Sequence, residues 1–217
     1  MALAALATAD HSALPEALRT LAARGVPRSY RKGTLIIEEG SHGDTLYLLL
    51  RGRVKAFSSD SRGREVTYGV YGAGDYFGEM SLDGGPRSAS VITLEPTLGV
   101  AITRQTLHAH IAANPEFAFE LIARVIRRAR VATQSARSMA LLDVYGRVVQ
   151  LLESLAVVQA DGTRVIEERL THGDIAARVG CSREMVSRLM KDLELGGYLH
   201  ASASGERRMS GSLPTRW

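Results

Sequence analysis

The sequence predicts an α+β chain in which short strands come first and helices follow. Three observations carry this. Between about residues 30 and 102, glycines recur at short intervals and separate brief apolar runs. Between Pro115 and Gly146 there is neither glycine nor proline. Between residues 171 and 193, a capping signal, a small residue, a glycine and further apolar residues follow one another at the spacing of two tightly joined helices. With 217 residues, 45% of them hydrophobic, the chain has material for two modest domains.

The first element is helical. Residues 3–23 read as one or two short helices, with Leu14, Leu18 and Leu21 on one face. Pro15 suits a first helical position, and Gly25-Val26-Pro27 ends the segment. Residues 1–9 are rich in Ala and Leu, but no Lys or Arg precedes them and Asp10 and His11 cut them short, so they do not read as a signal peptide. No window reaches the roughly 18 apolar residues of a membrane helix. The expectation is a soluble, cytoplasmic protein with no membrane partner.

The strands come next. Apolar runs at 35–37, 46–50, 54–57, 66–68 and 91–94 alternate with glycines at 33, 40, 43, 52, 63, 69, 72, 74 and 78. Brief strands at even spacing predict a compact antiparallel barrel or sandwich. Residues 59–64 form a polar hairpin loop.

Late in this region lies the stretch 77–90, Phe-Gly-Glu-Met-Ser-Leu-Asp-Gly-Gly-Pro-Arg-Ser-Ala-Ser. Glycines at 78, 84 and 85 let main-chain amides approach an anion closely. Arg87 offers a planar fork of donors suited to phosphate oxygens, and Ser88 one hydroxyl donor more. Glu79 repels phosphate and suits a ribose hydroxyl. Together these describe a pocket for a phosphorylated ribose. The alternative is an ordinary Gly-Gly-Pro loop in which Arg87 pairs with Glu79 on the surface.

Asn114 and Pro115 start a long helix, running to about Leu142. Phe117, Leu121, Val125, Ala132, Met139 and Leu142 fall close to a heptad seam. At 1.5 Å per residue the helix spans roughly 40 Å, more than one small domain can bury. This predicts a symmetric homodimer through a parallel helix pair. The alternative is a helix folded back on its own domain. Arg124, Arg127, Arg128 and Arg130 read as a solvated face. Residues 143–147 read as a break or hinge, 148–158 as a second helix, and Asp161-Gly162 as a hairpin turn.

The last motif is a helix-turn-helix. Thr171 and Asp174 have the form of a capping box. Ile175 and Ala176 point inward, and Gly180 stands where the turn needs it. Ser182 caps a second helix, Val186 and Leu189 pack it, and Gly196-Gly197 ends it. Arg183, Glu184 and Arg188 lie outward, near its start. Without DNA this pattern is only an αα-hairpin. With DNA, arginine suits guanine and glutamate accepts from cytosine N4.

Composition narrows the alternatives. The formal charge of +4 permits nucleic-acid binding without demanding it. A single cysteine, Cys181, excludes a disulfide framework within the chain and four-cysteine metal ligation. It reads as a small residue of the helix-turn-helix turn. His108 and His110 are the one close histidine pair and read as surface residues, so no metal is expected. No paired carboxylates, nucleophile elbow or metal set points to an enzyme.

Gly78-Glu79-x-Ser81-Leu82 followed by Arg87-Ser88-Ala89 resembles the phosphate-binding cassette of the CRP/FNR family of bacterial transcription regulators. Gly180-Cys181-Ser182-Arg183-Glu184-x-Val186-x-Arg188 resembles that family's recognition helix. The likeness runs from about Leu14 to Leu199. It implies an antiparallel, jelly-roll-like β-roll (residues 1–113), a dimerisation helix (114–142) and a winged helix-turn-helix domain (143–217). It also implies a ligand set of Gly78, Glu79, Met80, Ser81, Arg87, Ser88, Ala89 and Thr133. Glu79 and the Gly78 amide would meet the ribose 2′-hydroxyl, and Arg87 and Ser88 the cyclic phosphate. The implied DNA-binding set is Thr171, His172, Ser182, Arg183, Glu184, Ser187, Arg188 and Lys191, reading half-sites like TGTGA. The implied partners are double-stranded DNA, a second copy of the chain and RNA polymerase. Two departures stand out. Where the family's cyclic AMP sensors carry a Thr-Ser pair, this chain has Ala132 and Thr133. His172 stands where the best-known members carry arginine. Cyclic AMP is the expected effector, and Ala132 leaves cyclic di-GMP open. A nucleotide-binding regulatory subunit without DNA function is the remaining alternative. The polar stretch 201–208 has few strand formers, so the wing is expected to fray.

Overall fold

Glycine punctuation between apolar runs produces two facing antiparallel sheets in the first half of the chain. The computed structural model describes residues 14–201 and 206–214. The expected helix over residues 3–13 lies outside them, as does the middle of the wing, 202–205. The chain divides into two compact units, residues 1–58 with 67–129, and 59–66 with 130–217.

In the first unit, α1 (Glu16–Ala22) buries Leu18 and Leu21, with Leu14 beside them. The strands are β1 (Val26–Tyr30), β2 (Leu35–Ile37), β3 (Leu46–Arg51), β4 (Val54–Ser59), β5 (Glu65–Tyr71), β6 (Tyr76–Phe77), β7 (Ser90–Thr93) and β8 (Thr97–Ile102). One sheet has the order β1-β8-β3-β6 and the other β2-β7-β4-β5. Three strands lie beyond the expected runs. β1 contains Pro27, which the sequence reads as a terminator. It pairs on one side only, with β8, and an edge strand tolerates a residue that cannot donate. β8 and the two-residue β6 also escape the pattern. Leu46, Leu48, Val100 and Ile102 are buried between α1 and the helices that follow, and Leu49, Val54, Phe77 and Val91 form a second cluster.

Helix α2 (Arg104–Ala113) starts at Thr103, whose hydroxyl accepts from the Thr106 amide at 3.1 Å. It carries His108 on the surface and His110 inside. The expectation of two surface histidines is therefore wrong for His110. Its ring stands edge-on to Phe117, centroids 4.9 Å apart, and neither ring nitrogen has a hydrogen-bond partner.

Helix α3 (Glu116–Leu141) is the long helix. Two of the six residues of the expected seam, Phe117 and Leu121, turn into their own unit. Phe117 is buried in the core of the first unit and Leu121 packs against it. The stripe continues as Arg124 and Arg128, which turn inward rather than forming part of a solvated face. Phe119, Ile122 and Ile126 are left exposed on a second stripe, and Val131, Met139 and Leu141 are exposed further along the helix. Positions 129, 133, 136 and 140 prolong that second stripe at heptad spacing on the opposite side of the helix.

In the second unit, Asp143 caps α4 (Val144–Leu155) by accepting from the Gly146 amide at 2.7 Å. The expected break at 143–147 therefore shrinks to Leu142 and Asp143. β9 (Val157–Val158) and β10 (Arg164–Ile166) pair around Asp161-Gly162. α5 (His172–Val179) and α6 (Arg183–Leu195) precede β11 (Leu199–Ala201) and β12 (Arg207–Met209), in a sheet of order β11-β12-β10-β9. The strands at the base of the wing form, while residues 202–205 of the stretch expected to fray lie outside the described residues. Leu199 and Met209 face each other in register and are both buried in this unit's core. That burial outweighs weak strand propensity.

His110 yields a pH prediction. Burial lowers its pKa, and the charge of Arg24 lowers it further. Between that lowered value and about 6.5 the unfolded chain binds more protons than the folded one. Stability is therefore complete above about pH 6.5 and is lost as pH falls below it. Urea titrations from about pH 7.5 to about pH 5 should show the wild-type midpoint falling more than that of His110→Leu. Parallel pH profiles would remove His110 as the cause.

Candidate functional site

The stretch 77–90 is held by main-chain and side-chain bonds that pin each functional group. β6 pairs Phe77 with Tyr47 of β3, and the two rings stack at 5.2 Å. Gly78 then turns left-handed, φ +87°. A Cβ there would lie 2.7 Å from the Thr45 carbonyl oxygen and 2.8 Å from Arg87 Nη1, so only glycine fits. The 3₁₀ turn Glu79–Ser81 follows. Ser81 is buried and its hydroxyl donates to the Gly43 carbonyl at 2.7 Å, so it ties a neighbouring loop to the turn. Met80 and Ser88 are exposed, and Ala89 packs on the second core cluster.

Arg87 is fixed at its main chain, whose amide donates to Ser41 and whose carbonyl accepts from Gly40, both at 2.8 Å. Its side chain is 7% exposed. Nη1 donates to the Gly78 carbonyl at 2.8 Å and Nη2 to the Thr45 carbonyl at 2.9 Å. Burial pulls this guanidinium below its ordinary pKa, against the nearby charges of Asp44 and Glu79. It makes no ion pair among the described residues, so the alternative of an Arg87–Glu79 surface pair does not hold.

Glu79 is buried and takes its partner from elsewhere. Arg128 of α3 donates from Nη1 to Glu79 Oε1 and from Nη2 to the Tyr76 carbonyl. Oε2 stays buried with no hydrogen-bond partner. The Arg128 guanidinium lies 4.5 Å over the Tyr71 ring. One turn earlier, Arg124 lies 4.4 Å over Tyr76 and bonds Asp75 at 2.5 Å. Tyr71, Asp75, Arg124, Arg127 and Arg128 line an open recess of about 270 Å³. None of these five stands in the expected ligand set. The signal for two of them is in the sequence: Phe117, Leu121, Arg124 and Arg128 share one helical stripe, so a face that begins apolar and docked continues as arginine. Thr133 lies on the other, exposed stripe of α3.

The helix-turn-helix follows its caps. Thr171 and Asp174 close a capping box, with the Asp174 amide donating to the threonine hydroxyl at 3.1 Å and the Thr171 amide to the carboxylate at 2.8 Å. Gly180 is left-handed at φ +68°, and the Ser182 hydroxyl accepts from the Met185 amide at 3.2 Å. Ile175, Ala176, Val179, Val186, Met190 and Leu193 are buried, while Leu189 is half-buried. Arg183, Glu184, Arg188 and Lys191 are exposed. Main-chain donation at its own position and the Ser182 hydroxyl hold the Glu184 carboxyl below its usual range, with Arg183 and Arg188 adding to this. It is therefore an ionised acceptor near neutral pH. His172 Nδ1 and Ser187 Oγ lie 2.9 Å apart, so these two join α5 to α6. Cys181 is half-buried, and burial raises its thiol pKa. Among the described residues there is no group of three or more His, Cys, Asp or Glu able to hold a metal. None of the described helices is long and apolar enough to cross a membrane.

Comparison with known proteins matches both regions. Residues 27–114 match the cyclic nucleotide-binding domain family, and residues 169–198 match the bacterial regulatory proteins of the crp family. A CRP-like cAMP-activated global transcriptional regulator of Mycobacterium tuberculosis is 33% identical over 189 residues, covering 85% of this chain and 84% of its own length. The chain belongs to the CRP/FNR family of bacterial transcription regulators. The cAMP-activated global transcriptional regulator CRP of Haemophilus influenzae is 35% identical over 179 residues, 79% of each chain. In structure, the c-di-GMP responsive global regulator CLP of Xanthomonas campestris superposes with a TM-score of 0.77 at 25% identity, covering 90% of this chain and 98% of that one. As a member of this family, the chain is a transcription regulator with a cyclic nucleotide-binding domain and a DNA-binding helix-turn-helix.

The close approach at Gly78 gives a test of the cassette. Gly78→Ala should destabilise the first unit by more than about 1 kcal/mol, since alanine resists φ > 0 and the Thr45 carbonyl blocks its Cβ. Calorimetric unfolding should show a fall of several degrees in that unit's midpoint. An unchanged midpoint means that the Thr45 and Arg87 contacts yield without cost.

Proposed function

We propose that this CRP-family protein is a homodimer that binds cyclic AMP at residues 78–89 and then binds palindromic promoter DNA. One observation carries the reading: a nearly buried Arg87, bonded only to neutral carbonyls, stands beside a Glu79 with one orphaned oxygen. A cyclic phosphate would give Arg87 a charged partner, and a ribose 2′-hydroxyl would give Glu79 Oε2 its missing donor. The proposed ligand set is Gly78, Glu79, Met80, Ser81, Arg87, Ser88 and Ala89, with Thr133 supplied along the helix pair. Cyclic AMP is favoured by the mycobacterial and Haemophilus relatives. A second reading, cyclic di-GMP, is favoured by CLP and by the recess with three arginines and a tyrosine, which suits a second phosphate and a stacked guanine.

Dimerisation through Phe119, Ile122 and Ile126 accounts for apolar side chains that one copy leaves in water. The small residues that follow let two helices approach closely. The ligand acts only through tighter binding to the DNA-competent arrangement. In the groove, Arg183 and Arg188 read guanines and Glu184 a cytosine, while Thr171, His172, Ser182, Ser187 and Lys191 lie against backbone or flanking bases. The working division is a sensing domain to residue 113, a dimerisation helix to 142 and a DNA-binding domain beyond. The protein acts in the cytoplasm, with RNA polymerase as its partner at promoters.

Calorimetry against cyclic AMP, cyclic GMP and cyclic di-GMP tests the ligand. Arg87→Leu should weaken binding at least about tenfold, because a charge-assisted hydrogen bond contributes ~1.5–3 kcal/mol. Unchanged affinity would sink the pocket as drawn. Sedimentation tests the dimer: Ile122→Glu should yield monomers, and a wild-type monomer at micromolar concentration would refute the seam. Binding-site selection from random DNA should show Arg188→Ala losing preference at one base pair, at a cost of roughly 1–3 kcal/mol. Identical motifs and stringency would remove Arg188 from the readers.

A further inference from the structure

Two arginines one turn apart on α3 are held in the same way. Arg124 lies over the Tyr76 ring and bonds Asp75, and Arg128 lies over the Tyr71 ring and bonds Glu79. The two carboxylates differ in what remains. Each oxygen of Asp75 has a donor, since the second accepts from the Gly72 amide at 2.9 Å. Glu79 keeps Oε2 buried and unpartnered. The two rings differ as well. Tyr76 is fixed in the core of the first unit, whereas Tyr71 is half-buried on β5, an edge strand. Two residues earlier, on the same face of that strand, stands Gly69. A Cβ on Gly69 would lie 3.1 Å from the Tyr71 hydroxyl oxygen and 3.2 Å from its Cζ, too close for the ring to stay where it is. Gly69 is not among the glycines with positive φ, so its backbone does not require glycine. Its missing side chain makes room for the ring. Tyr71 thus lies over bare backbone, with the Arg128 guanidinium 4.5 Å from its centroid.

We propose that Tyr71, laid over Gly69, is a positioning residue that holds Arg128 on Glu79 and so aims the open Glu79 oxygen at the ribose of the ligand. A guanidinium donates in its plane and presents bare faces above and below it. Arg128 directs its in-plane donors to Glu79 and to the Tyr76 carbonyl. Those bonds fix the group within its plane. A contact on its face fixes the tilt, and the Tyr71 ring is that contact. The ring also keeps water from the face, which strengthens the charge pair beside it. With the ring gone, Arg128 tilts, the carboxylate turns with it, and Oε2 no longer meets a 2′-hydroxyl in line. This inference rests on the reading of Glu79 as the ribose acceptor.

The test compares cyclic AMP with 2′-deoxy cyclic AMP by calorimetry on the full chain, with circular dichroism to verify folding. The wild type should prefer the ribonucleotide at least about tenfold, since its 2′-hydroxyl bonds a charged group. Tyr71→Leu removes the ring, and Gly69→Val keeps the ring but lifts it off the strand. Both should bring the preference to within about threefold, chiefly by weakening the ribonucleotide. Tyr71→Phe keeps the face without the hydroxyl and should keep the wild-type preference. A merely structural role would weaken both nucleotides alike. An undiminished preference in Tyr71→Leu or in Gly69→Val therefore overturns the proposal, and so does its loss in Tyr71→Phe. A wild type with no preference, or with no binding, overturns the reading of Glu79 instead. Urea unfolding without nucleotide then decides the contact by itself. Tyr71→Leu and Glu79→Gln both act on Arg128, so their shifts of the midpoint should be non-additive in the double variant. Additive shifts overturn the contact.

Discussion

Arg128 reaches from the long helix to a carboxylate almost out of water, and that ion pair sets what the neighbouring residues can do. Removing a charged pair from water costs several kcal/mol per ion, and attraction between the partners offsets this only where further hydrogen bonds complete the set. Here the set is partly complete. Arg128 is satisfied by Glu79, the Tyr76 carbonyl and the face of Tyr71, whereas Glu79 keeps one oxygen unsatisfied. The result ties α3 to the cassette through charge while leaving the cassette an acceptor to offer. It also fixes the rotation of α3. With Phe117, Leu121, Arg124 and Arg128 turned inward, Phe119, Ile122 and Ile126 must face away.

Arg87 complements this arrangement. Its guanidinium is held by two carbonyls and framed by the bare Cα of Gly78, so its position is set before any anion arrives. Such preorganisation reduces the ordering cost of binding. A cation whose partners are neutral gains most from an anion in the same dry site, since charge-assisted bonds exceed neutral ones about twofold. Two residues of opposite charge, eight positions apart, are thus buried side by side in the cassette, each held by polar partners.

In the DNA-binding module, short-range chemistry does most of the positioning. Thr171 with Asp174, Ser182 and Asp143 each satisfy amides at a helix start, and Arg147 satisfies carbonyls at two helix ends. The termini of α4, α5 and α6 are therefore defined by side-chain bonds as well as by packing. The exposed side of α6 is left free to carry charge.

The sequence by itself determined what depends on neighbours within about four residues. The capping box at Thr171, the Gly180 turn, the strand runs at 35–37 and 46–50, the length of α3 and the residue types of the cassette were all legible, because local hydrogen bonding and periodicity dictate them. Tertiary structure decided which faces meet. Periodicity places Arg128 on the stripe of Phe117 and Leu121, but nothing local decides whether that stripe or the one of Phe119 docks. The first of the two is turned inward because of residues 40 to 100 positions away. Nor does local sequence show that His110 is buried, that Pro27 sits in an edge strand, or that Leu199 and Met209 anchor a polar wing. Propensity is a sum over near neighbours, whereas burial is settled by which distant apolar surface is available to exclude water. Only the folded chain brings that surface into reach.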